Sequence, residues 1–236
     1  MSTEQKVAII TGASQGIGAG LVEAFRRKGY GVVANSRSIA ASQDPDVVAV
    51  AGDIAERATA ERIVAAALER FGRIDTLVNN AGVFVSKPFI DYTVADFARL
   101  QAINVAGFFH ISQLAVAQML QQSSGHVVVI TTSLADQPSA AVPAALAALT
   151  KGGLNAVTRS LAIEYASRGI RFNAVSPGVI KTPMHAPETH AFLAALHPMQ
   201  RMGEPQEVID AVLYLETATF VTGEILHVDG GQHAGR

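Results

Sequence analysis

Short runs of consecutive apolar residues alternate along this chain with longer stretches whose apolar positions recur every three or four residues. The four consecutive apolar residues at 7–10 read as a buried strand, and 31–35, 47–50, 74–78, 127–130, 170–175 and 224–228 read as further strands. Helical spacing follows the first run up to Lys28, with Leu21, Val22 and Phe25 on the buried face. It returns over 56–71, where positions 60, 63, 64, 67, 68 and 71 are apolar. Thr93 is placed to cap a long helix to about Gln121, with Asn104 inside it. A further alanine-rich helix runs to Tyr165, and another covers 205–216. Between the second and third runs there is room for a turn or two of helix at most. Residues 183–200, with Pro183, Pro187, Pro198 and three histidines, read as a mobile lid. Strands alternating with helices predict one domain over 1–236: a doubly wound, three-layer α/β fold with a mainly seven-stranded parallel sheet.

Composition narrows the class. Of 236 residues 49% are apolar, enough for a core on both faces of a sheet. A formal charge of -2 gives no electrostatic reason to bind nucleic acid. The absence of cysteine excludes disulfides and thiolate metal sites. A polar lead-in, Met-Ser-Thr-Glu-Gln-Lys, and the lack of an apolar run of membrane-spanning length predict a soluble, cytoplasmic protein that does not enter a membrane.

The chemistry gathers at the carboxyl ends of the predicted strands, where such sheets bind ligands: residues 12–18, 36–37, 53, 79–82, 131–133 and 176–182. The turn Thr11-Gly-Ala-Ser-Gln-Gly-Ile-Gly18 joins a buried strand to a helix. Gly12 permits a tight turn, and Gly16 and Gly18 allow close approach of the backbone to a flat or charged group. The free N–H groups and positive dipole end of the following helix suit a phosphate. The spacing G-x-x-x-G-x-G differs from the common dinucleotide fingerprint.

These motifs, with Asn79-Asn-Ala-Gly82, Arg171-Phe-Asn-Ala-Val-Ser-Pro-Gly178 and Val228-Asp-Gly-Gly231, resemble those of the short-chain dehydrogenase/reductase family across nearly the whole chain. The resemblance implies a Rossmann-type domain with a nicotinamide cofactor extended across the sheet. It places Gly12, Ser14, Gln15, Gly16, Ile17 and Gly18 at the pyrophosphate and ribose, and Asp53 and Ile54 at the adenine. Asn80, Ala81 and Gly82 fall along the adenosine ribose. Pro177, Gly178, Val179 and Thr182 fall at the nicotinamide, with the Val179 backbone on its carboxamide. After the second strand, where an NAD site carries a carboxylate, stand Ser36 and Arg37. A hydroxyl and a guanidinium suit a 2′-phosphate, so NADP(H) is expected over NAD(H), unless Arg37 is only a solvated surface charge. Family members pair through two long helices and the last strand, which implies a homotetramer or homodimer.

The resemblance breaks at one position. The family sets Tyr-x-x-x-Lys on one helix face; the lysine here is Lys151, and four residues earlier stands Ala147. The longer enoyl-reductase spacing leads to Ala144, also not a tyrosine, and none lies between 93 and 164. Asn104, Lys151 and a hydroxyl at Thr132 or Ser133 match the other catalytic positions, Asn104 as support for a water beside the lysine. Lys151 itself, or His185, His190 or His197 in the lid, could carry the proton instead. His185-x-x-Glu188-x-His190 matches no standard metal site. The expected function is NADP(H)-dependent oxidoreduction of a small, moderately apolar carbonyl or alcohol with an unusual acid/base. A lyase or isomerase, or a cofactor-sensing protein without turnover, on the same fold are the alternatives.

Overall fold

The computed structural model describes residues 5–235; Met1–Glu4, part of the polar lead-in, and Arg236 lie outside them. In chain order the elements are β1 (Val7–Thr11), α1 (Gly16–Arg27), β2 (Gly31–Ser36), β3 (Val47–Ala51), α2 (Arg57–Phe71), β4 (Thr76–Asn79), α3 (Val94–Leu100), α4 (Gly107–Gln122), β5 (Gly125–Ile130), α5 (Ala145–Tyr165), β6 (Ile170–Pro177), α6 (His190–Ala195), α7 (Pro205–Thr217) and β7 (Ile225–Val228). The seven strands form one parallel sheet in the order β3-β2-β1-β4-β5-β6-β7. The order reverses between β1 and β4, which opens a crevice at their carboxyl ends.

Strand side chains alternate between two cores. Val7 and Ile9 of β1, Leu77 of β4, Val127 and Val129 of β5 and Phe172 of β6 meet Ile63 of α2, Ile111 and Met119 of α4 and Leu154 of α5. Ala8, Ile10, Val32, Val78 and Val128 meet Leu21 and Phe25 of α1 and Val208, Val212 and Leu215 of α7. Both faces are therefore apolar, which is why Val7–Ile10 and Val127–Ile130 read as unbroken apolar runs.

Three features differ from the sequence expectations. The helix capped by Thr93, whose side chain accepts from the Asp96 N–H, is not uniformly α-helical. Between α3 and α4, Gln101–Ala106 is π-helical and carries Asn104, an extra-residue bulge of the kind found at functional sites. Taken together, Val94–Gln122 is long and apolar enough by composition to cross a membrane, as no run was expected to be; a core helix has the same composition, and Ile111, Ala115, Val116 and Met119 are buried against the sheet. Residues 183–200 are not an irregular loop: Pro187–Thr189 forms one tight turn and α6 follows it. Leu196 and His197 behind it are buried.

At the amino ends of the strands a buried polar network joins the two layers. Glu216 of α7 accepts from Tyr30 Oη (2.8 Å) and pairs with His126 Nδ1 of β5 (2.7 Å), and Asn173 Nδ2 of β6 lies 3.1 Å from His126 Nε2. With Nε2 accepting from Asn173, His126 holds its proton on Nδ1 and stays neutral; burial pushes its pKa down. Removing the carboxylate leaves two buried donors without partners. Glu216→Leu should lower unfolding stability by about 3 kcal/mol, read as a drop in urea midpoint at unchanged m-value; an unchanged midpoint would show the network to be dispensable.

Candidate active site

The turn between β1 and α1 is held by the end of β4. Thr11 Oγ1 accepts from the N–H groups of Asn80 (3.1 Å) and Ala81 (3.0 Å), and Asn80 Nδ2 donates to the carbonyls of Thr11 (2.9 Å) and Gly12 (3.1 Å). This lock explains two of the glycines. A Cβ at Gly12, where φ is +67°, would lie 2.9 Å from Ala81 Cα; one at Gly18 would lie 2.2 Å from the Gly12 carbonyl oxygen. Gly18 thus makes room for the chain's own backbone, a requirement the sequence reading did not include. A Cβ at Gly16 would meet the Thr182 side chain at 3.3 Å, so the turn also abuts the segment after β6.

Two cavities lie along this crevice. The larger, about 410 Å³, is lined by every residue placed at the pyrophosphate, ribose and adenine: Gly12, Ser14, Gln15, Gly16, Ile17, Gly18, Ser36, Arg37, Asp53, Ile54, Asn80, Ala81 and Gly82. Asn35 and Ser38 line it as well, unforeseen although they flank Ser36-Arg37. The Ser36 hydroxyl is buried without a hydrogen-bond partner, and Arg37 is exposed. The smaller cavity, about 150 Å³, gathers Thr132, Ser133, Lys151, Pro177, Gly178, Val179 and Thr182, with Ile180, His185 and Gln232. Ile17, Asn80, Gly82, Val83, Thr182 and Met184 belong to both, so the two form one groove.

Within the smaller cavity Lys151 Nζ donates to the Thr131 carbonyl (3.1 Å), and burial lowers its pKa to about 8. Ser133 is fully buried and its hydroxyl donates to Gln232 Oε1 (2.8 Å); Thr132 is half-buried beside it. The Asn104 side chain does not face this cavity. Its Oδ1 accepts from the Val83 N–H (2.9 Å) and its Nδ2 donates to the Val83 carbonyl and to Thr150 Oγ1 (3.1 Å each). A space of about 10 Å³ touches both Asn104 and Lys151, the lower limit for one water. Ala147, one helical turn before Lys151, is fully buried and stands outside the cavity wall. None of the four tyrosines lines the cavity either; Tyr92 donates to the Val85 carbonyl (2.7 Å) and Tyr30 to Glu216.

The Val179 assignment needs correction. The Val179 N–H donates to His197 Nε2 (3.0 Å) and its carbonyl accepts from the Gly203 N–H (3.0 Å), so neither backbone group is available to a carboxamide. Ile180 forms the bridge to Gly203 through its neighbours: Gly203 bonds the Val179 carbonyl and the Lys181 N–H (2.8 Å). The Ile180 N–H and C=O therefore face the other way, and Ile180 lines the cavity. Nothing local marks this one-residue shift, because it is set by pairing with residues 18 to 24 positions away. The three lid histidines separate in the same way. His197 is buried and bonded to Val179; His190 Nε2 donates to the His185 carbonyl (3.2 Å); only His185 lines the cavity.

Residues 12–233 match the family model described as enoyl-(acyl carrier protein) reductase. A 3alpha-hydroxysteroid dehydrogenase of Mediterraneibacter gnavus is 35% identical, over 98% of this chain and 98% of its own. Among solved structures, ElxO with NADP bound superposes with a TM-score of 0.90 at 28% identity, covering 98% of this chain and 100% of that one. The 3-ketoacyl-(acyl-carrier-protein) reductase from Brucella melitensis complexed with NADH superposes with a TM-score of 0.90 at 31% identity, covering 98% and 99%. With the crevice, the locked glycine turn and the lysine on α5, these likenesses show that the chain belongs to the short-chain dehydrogenase/reductase family.

Proposed function

We propose that this protein is an NADP(H)-dependent oxidoreductase acting on the carbonyl or alcohol group of a small, moderately apolar molecule, with a proton donor other than tyrosine. The observation that carries the reading is the continuous groove: one end holds Ser36 and Arg37, the other Lys151 and Thr132. The fit to a dinucleotide rests on two groups without protein partners, the buried Ser36 hydroxyl and the Ile180 backbone pair. The first would donate to a 2′-phosphate beside Arg37. The second complements a primary carboxamide, one N–H against its oxygen and one C=O against its nitrogen.

The nicotinamide, when bound, supplies or accepts hydride. The chain's own parts orient and hold the rest. Lys151, beside Gly82 at the junction of the two cavities, holds a ribose hydroxyl while it is charged. Thr132, whose neighbour Ser133 is tied to Gln232, offers its hydroxyl to the substrate oxygen. Val83, Phe84, Leu134, Ile180 and Met184 keep the smaller cavity apolar, which favours an apolar substrate and sheds water. Apolar side chains also remain exposed on α3–α5: Val94, Phe97, Leu149 and Ile163. They support self-association into a homodimer or homotetramer through these helices.

Three outcomes follow. Arg37→Ala should weaken NADPH binding about tenfold or more, the worth of a charge-assisted bond, and leave NADH binding unchanged; equal affinities before and after would remove Arg37 from the site. Product formed without nicotinamide turnover would instead mark a lyase or isomerase, and tight cofactor binding without any turnover a binding protein. Lys151 gives a pH signature in the cofactor-free protein. Its folded pKa of about 8 lies below its ordinary 10.5, so between those values the unfolded chain holds more protons and stability rises with pH. Lys151→Met should abolish that rise and stabilise the protein at neutral pH by about 2–3 kcal/mol; parallel stability curves for the two proteins would contradict the buried charge. Finally, Ile163→Glu should shift the sedimenting species toward monomer; an unchanged sedimentation coefficient would place the contact elsewhere.

A further inference from the structure

The geometry points to His185 as the group that exchanges the proton with the substrate oxygen in place of the missing phenol; this rests on the oxidoreductase reading above. Of the residues lining the smaller cavity only Lys151 and His185 titrate in the accessible range. They are placed differently. Lys151 reaches from α5 to beside Gly82, a residue of both cavities, with Nζ on the Thr131 carbonyl. His185 lines the smaller cavity from the segment that follows β6, with Met184 and Thr182. Its backbone is fixed at both ends: its N–H donates to the Thr182 carbonyl (3.0 Å), and its carbonyl accepts from His190. Among the described residues its imidazole has no hydrogen-bond partner. The other histidines nearby are committed, His197 to the Val179 N–H and His190 to His185 itself. His190 from α6 is the titratable group whose charge acts on it; Lys151 from α5 lines the same cavity, and Glu188, three residues on, is exposed.

In the direction of reduction, hydride from the nicotinamide forms the new C–H bond at the carbonyl carbon as the C=O π bond breaks. The carbonyl oxygen takes a proton from the His185 imidazolium; the carbonyl is reduced to the alcohol and the dinucleotide is oxidised. In reverse, neutral His185 accepts the hydroxyl proton. Burial, then the neighbouring His190, holds the His185 pKa below its ordinary 6.5. Reduction should therefore accelerate as pH falls through that pKa, and oxidation as pH rises through it.

The test compares the intact protein with His185→Ala and His185→Gln, using NADPH with benzaldehyde, acetophenone and 2-octanone from about pH 5 to 9. Expected is a fall in kcat of about 100-fold or more in both variants, loss of the acidic limb, unchanged NADPH affinity by fluorescence, and recovery of the His185→Ala rate by added imidazole. A second readout needs no turnover: in the cofactor-free protein, the histidine proton resonance missing from His185→Ala should titrate below 6.5. Variants that keep the parent rate overturn the role of His185 and leave the oxidoreductase reading standing. A lost rate that imidazole does not restore, at unchanged NADPH affinity, shows a structural role and overturns it too, as does a resonance that does not titrate. No turnover by the parent protein on any of the three carbonyls overturns both readings.

Discussion

The lock between Thr11 and Asn80 is the contact on which the site depends. One hydroxyl accepts two N–H groups, and one side-chain amide donates to two carbonyls, so the ends of β1 and β4 are joined where the strand order reverses. The crevice there would otherwise leave backbone groups without partners, and burying them unpaired would cost more than the bonds gain. By satisfying each other the two strand ends leave the amides of α1 free to face a ligand. They also bring Gly12 so close to Ala81 that Gly12 cannot carry a side chain.

Much of this was legible in the sequence because the forces that shape it are local. A strand buried on both faces is apolar where both faces meet a core, as Val7–Ile10 and Val127–Ile130 are, and a glycine-rich turn after such a strand can serve few purposes. The capping residue Thr93 and the boundary at Gly72, in left-handed conformation, were legible for the same reason. What was not legible was set by distant pairing. Val179 and Ile180 are chemically alike; only the register against Gly203 and the reach of His197 decide which backbone faces the groove. The proline-rich segment reads as loop from composition, yet α6 forms because Leu196 and His197 find burial behind it. Asn104 reads by resemblance as support for a water beside Lys151, and a space for one lies between them. What the sequence does not reveal is that its side chain also pins Val83, accepting from its N–H and donating to its carbonyl.

The two halves of the groove are built differently. The half beneath the glycine turn lies at the carboxyl ends of the central strands, fixed by the strand ends and by the Asn80 lock. The half near Lys151 is closed by the segment after β6, whose two ends are joined to each other by the parallel bridge between Ile180 and Gly203 and by the Val179 N–H on His197, and whose Met199 N–H reaches the Gly230 carbonyl beyond β7 (3.2 Å). His197 accepts at Nε2, so its proton sits on Nδ1, which is buried without a partner. That orphan donor is a cost the segment bears in folding back on itself.

Lys151 shows how the absent phenol changes the balance of forces. A buried ammonium is unfavourable unless an anion or several acceptors compensate it. Here it has the Thr131 carbonyl and a more distant contact to Ile130, and no carboxylate or phenolate within the cavity. In a site with tyrosine on the same helix face, the lysine's field would be used to ease a phenol's ionisation. With Ala147 closed into the core, nothing there is eased, and the charge is left to act on whatever enters the groove. It then stabilises a ligand that accepts hydrogen bonds and does nothing for the proton. On the proposed oxidoreductase reading, binding and proton transfer, joined on one helix when Tyr-x-x-x-Lys is intact, are divided between two elements: α5 carries the first, and the second comes from a side chain that reaches the cavity from elsewhere.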